Sequence, residues 1–406
     1  MRLLKFLLKK LSTATLKKYQ PKIIAISGSV GKTSTKEAIF CLLKKFKKVR
    51  ATPKNYNNEL GVPLAILGDW KEITQPAIFF WLKVILSSIF NLIFFNKNYP
   101  EILILELAAD RPKDIEYFMS FIKPQVGIIT AIGEIPSHIE FYPNLSALAK
   151  EKAKIIENLP SSGLAILNFD DPLVLAMKEK TKAKVITYGF NKGADFQILN
   201  YQTEFNENFK GTSMKFFYQG NLIPFKIRNA FGRGIVLAMA SSFCVGIEEK
   251  LNLIEISNAL DDFSPLPHRM NLIKGIKNTW IIDDCYNASP IAVKSALEVL
   301  DQIKAKRKIV ALGDMRELGK YSYEAHFGIG KESAKVAEVL FFIGNFAKIY
   351  EAGVKETGLK REVYCFENSE KAKLKIQEIL KEGDLILIKG SRAIEMEKIV
   401  EEIKYQ

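Results

Sequence analysis

The stretch from Lys22 to Thr35, KIIAISGSVGKTST, places an apolar run directly before a glycine-containing turn, a lysine and three hydroxyl residues. The isoleucines predict a buried strand, and the spacing of apolar residues from Lys32 to Phe46 predicts a helix after it. Backbone N–H groups of such a turn converge on an anion, and the helix N-terminus adds partial positive charge. We therefore predict a phosphate-binding loop rather than an ordinary strand-turn-helix junction.

Each residue type in this turn suits a nucleotide. Lys32 can reach the β- and γ-phosphates, and the Thr33 hydroxyl can hold Mg²⁺. The loop is more compact than the general P-loop pattern, which has a glycine where Ile26 or Ser27 stands here. The predicted nucleotide-binding residues of the loop are Gly28, Ser29, Gly31, Lys32, Thr33 and Ser34.

Length and composition limit the classes of protein to consider. A chain of 406 residues predicts two or three domains, and contents of 48% hydrophobic and 26% charged residues are typical of a globular protein. The four cysteines are far apart, which favours neither zinc nor disulfides and fits a reducing cytosol. Lysines are scattered and no basic motif interleaved with aromatics is present, so the net charge of +14 favours anionic lipid or a polyanionic small substrate over nucleic acid.

Alternating strand and helix patterns predict an α/β protein with two main domains. A central parallel-sheet ATPase domain carries the phosphate loop, and short alternating segments from 195 to 227 predict a small antiparallel sheet appended to it. After a proline-rich joint at 263–269, the pattern predicts a second, Rossmann-like α/β domain. The predicted divisions are 1–20, a basic amphipathic helix; 21–264, the ATP-binding domain with an apolar insert at 77–95; and 265–406.

Polar residues follow several predicted strands. Glu106 stands at the end of an apolar strand, where ligands bind in parallel α/β sheets, and is a plausible Mg²⁺ ligand. His138, one of three histidines, follows the next strand and is either a functional residue or a satisfied surface side chain. The loop from Arg50 to Leu64 is rich in amide side chains, which bind ligand or satisfy the loop locally. The amides of this loop include Asn55, Asn57 and Asn58.

Two apolar segments predict contact with a membrane or with the rest of the fold. In residues 1–20, leucines lie on one helical face and lysines toward the other, which is typical of a basic helix on a membrane but also fits a helix packed on the domain behind it. Residues 77–95 are more apolar, yet Lys83, Ser87 and Asn91 would form a polar stripe that argues against a lone transmembrane span. We expect a cytoplasmic protein, and contact with the inner face of the membrane stays open as an alternative to packing within the fold.

Ten motifs in a fixed order resemble the Mur ligase family, and most closely its MurF branch. The resemblance extends from about residue 21 to 404. The motifs are GSVGKTST, ATPKNYNNELGVP, ILELAAD, SHIE, AKEKAKI, LNFDD, LPHRM, DDCYNASP, ALGDMRELG and IKGSRAIEME.

This resemblance implies ATP-dependent amide synthesis in peptidoglycan precursor formation. A substrate carboxylate becomes an acyl phosphate, which an amine then attacks; in the MurF branch D-alanyl-D-alanine is added to UDP-N-acetylmuramoyl-tripeptide. Carried over by motif, Lys32 cradles the phosphates, Thr33 holds one Mg²⁺, and Glu106 and His138 bind a second. Lys152, which by pattern alone belongs to a solvated basic face with Lys150 and Lys154, is by resemblance the lysine carbamylated by CO₂. Catalytic roles thus fall on Lys32, Lys152 and His138.

The second domain supplies further residues by resemblance. Arg269, Asp284 and Asn287 are expected to bind the nucleotide, and Tyr286 belongs to the same cleft-facing motif. Asp314 and Lys389 are expected near the acceptor amine or the intermediate. In the central domain, Asn57 and Asn58 match a loop that borders the active site. The predicted substrate contacts are Asn57, Asn58, Tyr286, Asp314 and Lys389.

Departures from the family pattern suggest a variant. Few residues precede Lys22, so the usual uridine-binding domain is expected to be missing; and the sequence from Arg228 to Gly232 replaces an adenine-binding His-Asn-x-x-Asn. Ala108 and His268 each replace a common glycine. An alternative is a related ligase acting on a membrane-associated or polymeric carboxylate, as in poly-γ-glutamate synthesis. A nucleotide-binding scaffold without activity is the non-enzyme alternative, and a monomer is expected.

Overall fold

Two β-sheets with helices on both faces organise the chain in a computed structural model, which describes residues 1–53 and 56–405. Asn55 of the amide-rich loop therefore lies outside the described residues. The strands are β1 Lys22–Ser27, β2 Val49–Ala51, β3 Ile102–Glu106, β4 Val126–Ile129, β5 Leu164–Asn168, β6 Lys184–Gly189, β7 Phe196–Phe205, β8 Lys210–Tyr218, β9 Asn221–Arg228, β10 Asn271–Gly275, β11 Thr279–Asp284, β12 Arg307–Gly313, β13 Val339–Ile343, β14 Glu362–Phe366 and β15 Asp384–Lys389. The α-helices are α1 Arg2–Tyr19, α2 Lys32–Leu43, α3 Gly61–Leu67, α4 Ala77–Ile93, α5 Asp114–Met119, α6 Leu145–Glu157, α7 Pro172–Leu175, α8 Arg233–Glu248, α9 Leu253–Leu260, α10 Pro290–Gln302, α11 Ser322–Val336, α12 Ala347–Glu356, α13 Ser369–Ile379 and α14 Glu397–Ile403.

The first sheet has nine strands in the order β2-β3-β1-β4-β5-β6-β7-β8-β9. Its strands are parallel from β2 to β7, and β3, β4 and β5 are buried throughout, as expected for a sheet covered on both faces. The segment predicted as a small antiparallel sheet is the continuation of this same sheet. It is joined because β7 pairs in parallel with β6 before turning into the β7-β8-β9 antiparallel ribbon.

The second sheet has six strands in the order β10-β11-β15-β12-β13-β14, all parallel except the β10–β11 pair. Apolar runs in the sequence predict four strands here, at 279–282, 308–312, 339–343 and 384–389, and these are the four central strands. The same pattern missed the two edge strands, β10 and β14, because their residues are mostly half-buried and form no continuous apolar run. The predicted fold class, two α/β units of which the first carries a phosphate loop, is confirmed.

Both sheets direct the carboxyl ends of their parallel strands into one cleft. In the first sheet, β1, β3 and β4 lie side by side, so the segments that follow them meet at one edge. In the second sheet, the neighbouring strands β11 and β15 end at Asp284 and Lys389. This topology fixes where the polar residues after each strand come together.

Helices α1 and α4 pack on each other and on α3 at the outside of the first sheet. Leu8 of α1 is fully buried against this layer, and α4 buries Phe80, Val84 and Ser88, which follow one another at four-residue intervals. Among the described residues, no helix combines the length and the hydrophobicity needed to span a membrane.

Candidate active site

A cleft of about 1090 Å³ lies between the two sheets. The first sheet lines it with the turn after β1 and with the segments after β3, β4 and β5; the second sheet lines it with the segment after β11 and the end of β15. The cleft therefore brings together strand ends that are up to several hundred residues apart in sequence.

The turn between β1 and α2 is held against the segment that follows β4. The backbone N–H groups of Ser29 and Val30 donate to the carbonyl oxygen of Ala131 at 2.6 and 3.2 Å. Gly28 has a φ of 148°, and a Cβ there would lie 2.0 Å from the Thr130 hydroxyl, so no larger residue fits without a shift. Gly31, with a φ of 91°, begins helix α2. This is the close backbone packing that a phosphate loop needs.

Two lysines converge on one carbonyl oxygen of this turn. Lys32 Nζ donates to the Gly28 oxygen at 2.8 Å, and Lys152 Nζ donates to the same oxygen at 3.0 Å. Burial lowers the pKa of Lys32, and burial followed by the charge of Lys32 lowers the pKa of Lys152 well below its usual value. Lys152 is 1% exposed, so the solvated face predicted from pattern alone is wrong for this residue.

The neighbouring lysines on α6 are in different surroundings. Lys150 is exposed, and Lys154 forms ion pairs with Glu116 at 2.7 Å and with Glu151 at 2.9 Å. The solvated-face interpretation therefore describes Lys150 but not Lys152, which points inward from the same helix.

Glu106 is a buried carboxylate in contact with Thr33 of the phosphate loop. Its Oε1 accepts hydrogen bonds from the Thr33 hydroxyl at 3.2 Å and from the Asn57 amide at 3.0 Å. Its Oε2 is buried and has no hydrogen-bond partner within the described ranges, although Lys36 Nζ lies 3.7 Å away. A hydroxyl, an amide and a carboxylate with an oxygen left over form an oxygen-rich set suited to Mg²⁺.

His138 lies between carboxylates from the two halves of the molecule. Its Nε2 is 3.3 Å from Asp110, which follows β3, and its Nδ1 is 2.6 Å from Glu317, which follows β12. The imidazole lowers the pKa of Glu317. His138 and Glu106 line the same cleft, but Glu106 contacts Thr33 and Asn57 whereas His138 contacts Asp110 and Glu317.

The second sheet places an arginine on the phosphate loop. Arg269 Nη2 donates to the Thr33 hydroxyl at 3.2 Å, and its guanidinium lies 4.0 Å from the centre of the Tyr286 ring. The preceding residue, His268, has a φ of 63° and its Nδ1 lies 2.8 Å from Asp283 Oδ2. The histidine at this glycine position thus fixes the backbone from which Arg269 reaches across the cleft.

Lys389, whose side chain is 3% exposed, and Asp284, whose side chain is 14% exposed, form an ion pair at the ends of β15 and β11. Lys389 Nζ also donates to the backbone oxygen of Asn287 at 2.9 Å, and Met270 N donates to Asp284 Oδ1 at 3.1 Å. Burial raises the pKa of Asp284, and the charge of Lys389 acts in the opposite direction. Asp284, Asn287 and Lys389 all line the cleft.

Two residues expected to contact substrate lie elsewhere. Asp314 is fully buried, and its carboxylate accepts from the backbone N–H groups of Asn345 at 2.9 Å and Phe346 at 3.0 Å, before helix α12. Asn58 accepts from Leu60 N and Gly61 N at 3.1 and 3.0 Å, at the start of α3. Both side chains thus hold backbone turns and are outside the residues that line the cleft, whereas Ser34 and Asn57 line it.

Sequence reasoning missed several residues of the cleft. Thr130 donates to the Val30 oxygen at 2.6 Å beneath the loop, and Arg233 lines the cleft with its guanidinium 3.8 Å from the Phe190 ring centre. Asp110 and Glu317 flank His138. The signal for Asp110 was its place four residues after Glu106 in the motif ILELAAD, and Glu317 stands in GDMRELG.

A second recess of about 670 Å³ adjoins the main cleft. It shares His138 and Asn287 with the cleft and is lined by Arg316, Arg392 and Ser391 from the ends of the second sheet. Glu140 and Glu317 also line it, so the cleft extends past His138 into a recess that carries charges of both signs.

Comparisons with known proteins agree with this arrangement. The family model described as "Mur ligase middle domain" matches residues 89–245, and the model described as "Mur ligase, glutamate ligase domain" matches residues 268–392. The phosphate loop itself precedes the first match.

Named relatives extend the likeness to nearly the whole chain. The UDP-N-acetylmuramoyl-tripeptide–D-alanyl-D-alanine ligase of Rickettsia prowazekii is 30% identical over 94% of this chain and 77% of its own length. The Bacillus subtilis enzyme of the same name is 27% identical over 98% of this chain and 79% of its length. The crystal structure of MurF ligase from Thermotoga maritima in complex with ADP is 27% identical with a TM-score of 0.79, over 98% of this chain and 83% of that one. With its two matched domains and these relatives, the chain belongs to the Mur ligase family.

Proposed function

We propose that this protein forms an amide bond at the expense of ATP, adding D-alanyl-D-alanine to UDP-N-acetylmuramoyl-tripeptide in peptidoglycan precursor synthesis. One observation carries the proposal: Thr33 of the phosphate loop contacts Glu106 of its own sheet and Arg269 of the other, inside one cleft. The names of the relatives at 30% and 27% identity support this donor and this amine over the poly-γ-glutamate alternative.

The nucleotide is proposed to bind with its phosphates on the turn from Gly28 to Ser34. The structure of the Thermotoga maritima ligase is a complex with ADP, which supports nucleotide binding by this chain. Arg269, Asp284 and Asn287 are proposed to approach the nucleotide from the second sheet. Mg²⁺ fits the residues present, because Thr33 and Glu106 offer oxygen donors and one buried Glu106 oxygen has no hydrogen-bond partner among the described residues.

His138 is proposed to join Glu106 in holding a second Mg²⁺, with the Asp110 carboxylate beside it as a further oxygen donor. Bound Mg²⁺ would supply positive charge to the phosphoryl oxygens. Support comes from the position of both side chains on the wall of the same cleft.

The chemistry proposed for the cleft has two steps. The tripeptide carboxylate attacks the γ-phosphorus of ATP, the bond from that phosphorus to the bridging oxygen breaks, and ADP leaves. The amine of D-alanyl-D-alanine then attacks the acyl carbon, loses a proton, and the carbon–oxygen bond to phosphate breaks. Lys32, Arg269 and the N–H groups at the N-terminus of α2 would face the negative charge that accumulates on the phosphoryl oxygens, which would stabilise the transition state.

Lys152 is proposed to carry a carbamate. Its lowered pKa favours the neutral amine, whose nitrogen attacks CO₂, forming an N–C bond and releasing a proton. The resulting anion would lie near Lys32, with which Lys152 shares the Gly28 oxygen. This change of sign would replace an unfavourable lysine pair with a favourable one.

The substrates are proposed to occupy the remaining cleft near Asn57, Tyr286 and Lys389. We propose that residues 21–264 and 265–406 act as two units that meet around the nucleotide. The last strand of the first sheet ends at Arg228 and the first strand of the second sheet begins at Asn271, which supports a division between them. We further propose a monomer in the cytoplasm with peripheral contact at the inner face of the membrane.

The test is phosphate release from ATP and Mg²⁺ with UDP-N-acetylmuramoyl-tripeptide, with D-alanyl-D-alanine added or withheld. We expect sustained release only with both substrates, and none with the Lys32→Ala variant. A Lys150→Ala variant, changed on the exposed face of α6, is the matched control and should keep the wild-type rate. Release with L-glutamate but not with D-alanyl-D-alanine would overturn the substrate assignment.

A further inference from the structure

Helix α4 leaves a wide apolar face uncovered. Seven large hydrophobic residues of this helix are exposed by 41 to 74%, and at 100° per residue they fall within an arc of about 120°. They are Ile78, Phe79, Leu82, Leu86, Ile89, Phe90 and Ile93. Phe94 and Phe95, which follow the helix, are 56% and 68% exposed. Such a face costs free energy in water unless something covers it.

Helix α1 extends this face. Its first turns expose Met1, Leu3, Phe6 and Leu7, while Leu8 is buried toward α3 and α4. We name the exposed hydrophobic residues of 1–7 and 78–95 the α1–α4 surface. It holds 13 of the 23 large exposed hydrophobic residues in the described part of the chain, so exposure is concentrated here rather than scattered.

The two helices are fixed to each other side by side. Lys18 Nζ donates to the carbonyl oxygens of Asn91 and Leu92, both at 3.0 Å, and the Tyr19 hydroxyl donates to Asn91 at 2.7 Å. At the other end, Leu8 packs in one cluster with Phe80 and Val84. The helices thus run in the same direction, and their exposed faces belong to one rigid layer.

The charged residues on the two helices themselves are all basic, although Lys5 of α1 pairs with Glu59 of the neighbouring loop. The sequence contains no aspartate or glutamate before Glu37, and none from Ala77 to Pro100. The same segments carry exposed cations that include Arg2, Lys10 and Lys17 on α1 and Lys83 on α4. An apolar face on helices whose charged residues are all cations complements anionic headgroups above hydrocarbon.

We infer that the α1–α4 surface docks flat on an anionic lipid bilayer, with its hydrophobic residues below the headgroups and its cations among the phosphates. A second copy of the chain fits less well, because two such surfaces face to face would bring the cations of both helix pairs together. In-plane binding agrees with the absence, among the described residues, of a helix suited to span a membrane. The inference does not depend on the ligase activity.

The test is flotation of the full-length protein with vesicles of phosphatidylcholine alone or mixed with phosphatidylglycerol. We expect binding to the mixed vesicles, weakening as salt is raised toward about 1 M. Leu82→Asp/Leu86→Asp should weaken it by roughly tenfold or more. The matched control is Leu222→Asp/Leu374→Asp, because these leucines are 58% and 60% exposed, close to the 51% and 57% of Leu82 and Leu86. The control should bind as wild type does.

A second arm changes charge without touching the hydrophobic face. Lys10→Gln/Lys17→Gln should weaken binding to the mixed vesicles by a few-fold and leave thermal unfolding unchanged, which keeps the test informative if the aspartate pair unfolds the helices. Failure of the wild type to float, or equal losses in both aspartate pairs, would overturn the inference. A dimer that the Leu82→Asp/Leu86→Asp change converts to a monomer, without vesicle binding, would assign the surface to self-association instead.

Discussion

The two sides of the cleft treat a buried lysine differently. On the side of the second sheet, Lys389 is paired with the carboxylate of Asp284. On the side of the first sheet, Lys152 faces Lys32, and both donate to the carbonyl oxygen of Gly28. Lys389 thus has an ion-pair partner, whereas the hydrogen bonds of Lys32 and Lys152 within the described residues go to carbonyl oxygens.

This difference separates residues that hold the fold from residues that await an anion. An ion pair is satisfied within the chain, whereas a buried and a half-buried lysine on one neutral oxygen are stabilised further when negative charge arrives. In the proposed reaction that charge comes from the nucleotide phosphates and from a carbamate on Lys152. Substitutions on either side of the cleft can test this difference.

The largest effect is expected from Lys32→Ala. Removing the ammonium group that lies on the phosphate loop should lower the rate of phosphate release by about 10³-fold, because charge on the transferring phosphoryl group loses its nearest cation. Rate measurements at saturating ATP check this. A loss below tenfold would mean that Lys32 does not contact the transferring group.

Lys389→Met should be the most destabilising single change on the opposite side. It leaves the largely buried Asp284 without its cation, which costs about 3–5 kcal/mol in unfolding free energy. Urea unfolding measures this cost. The double variant Lys389→Met/Asp284→Asn should recover a large part of it, and additive losses would show that the two residues do not act as a pair.

Lys152→Met should raise the free energy of unfolding in buffer free of CO₂, whereas Lys389→Met should lower it. Because the folded pKa of Lys152 lies below the usual 10.5, the folded state binds fewer protons than the unfolded state below that pH. The free energy of unfolding of the wild type therefore falls as pH decreases from 10.5, until the lowered pKa is passed.

The measurement is the unfolding midpoint of both proteins between about pH 7 and pH 10. The unfolding midpoint of Lys152→Met should exceed that of the wild type by more as the pH is lowered. Added bicarbonate should reduce this difference, because it stabilises only the wild type. If the difference in unfolding midpoint between the two proteins does not change with pH, Lys152 is not an uncompensated lysine.

The smallest effect is expected from Glu317→Gln, which alters the contact of His138 across the cleft. Glu317 is 41% exposed, so the change in stability should be below about 1 kcal/mol. The pKa of Glu317 is lowered, so its contribution is present above the usual value of 4.5 and is lost as pH falls through the lowered pKa. Thermal unfolding at about pH 7 and pH 4 checks this, and an equal difference at both would contradict it.

Sequence reasoning placed the strands and their polar ends well, because buried parallel strands are apolar runs and their carboxyl ends share one edge. It could not find the contact between Thr33 and Arg269, which depends on how the two halves pack. Nor did pattern show that Lys152 points inward, since three lysines at alternate positions of a helix normally face water. For Asp314, the motif correctly placed the residue at a strand end. It could not show that the Asp314 carboxylate accepts hydrogen bonds from the backbone N–H groups of Asn345 and Phe346.

The shared Gly28 carbonyl oxygen couples the two lysines. Since Lys32 and Lys152 donate to the same atom, an anion that draws one ammonium group away leaves that oxygen to the other. The affinity for nucleotide and the affinity for CO₂ are then thermodynamically linked, and each must change the other by the same factor. Through this one peptide group, the fraction of Lys152 that carries a carbamate would report how much of the protein has nucleotide bound.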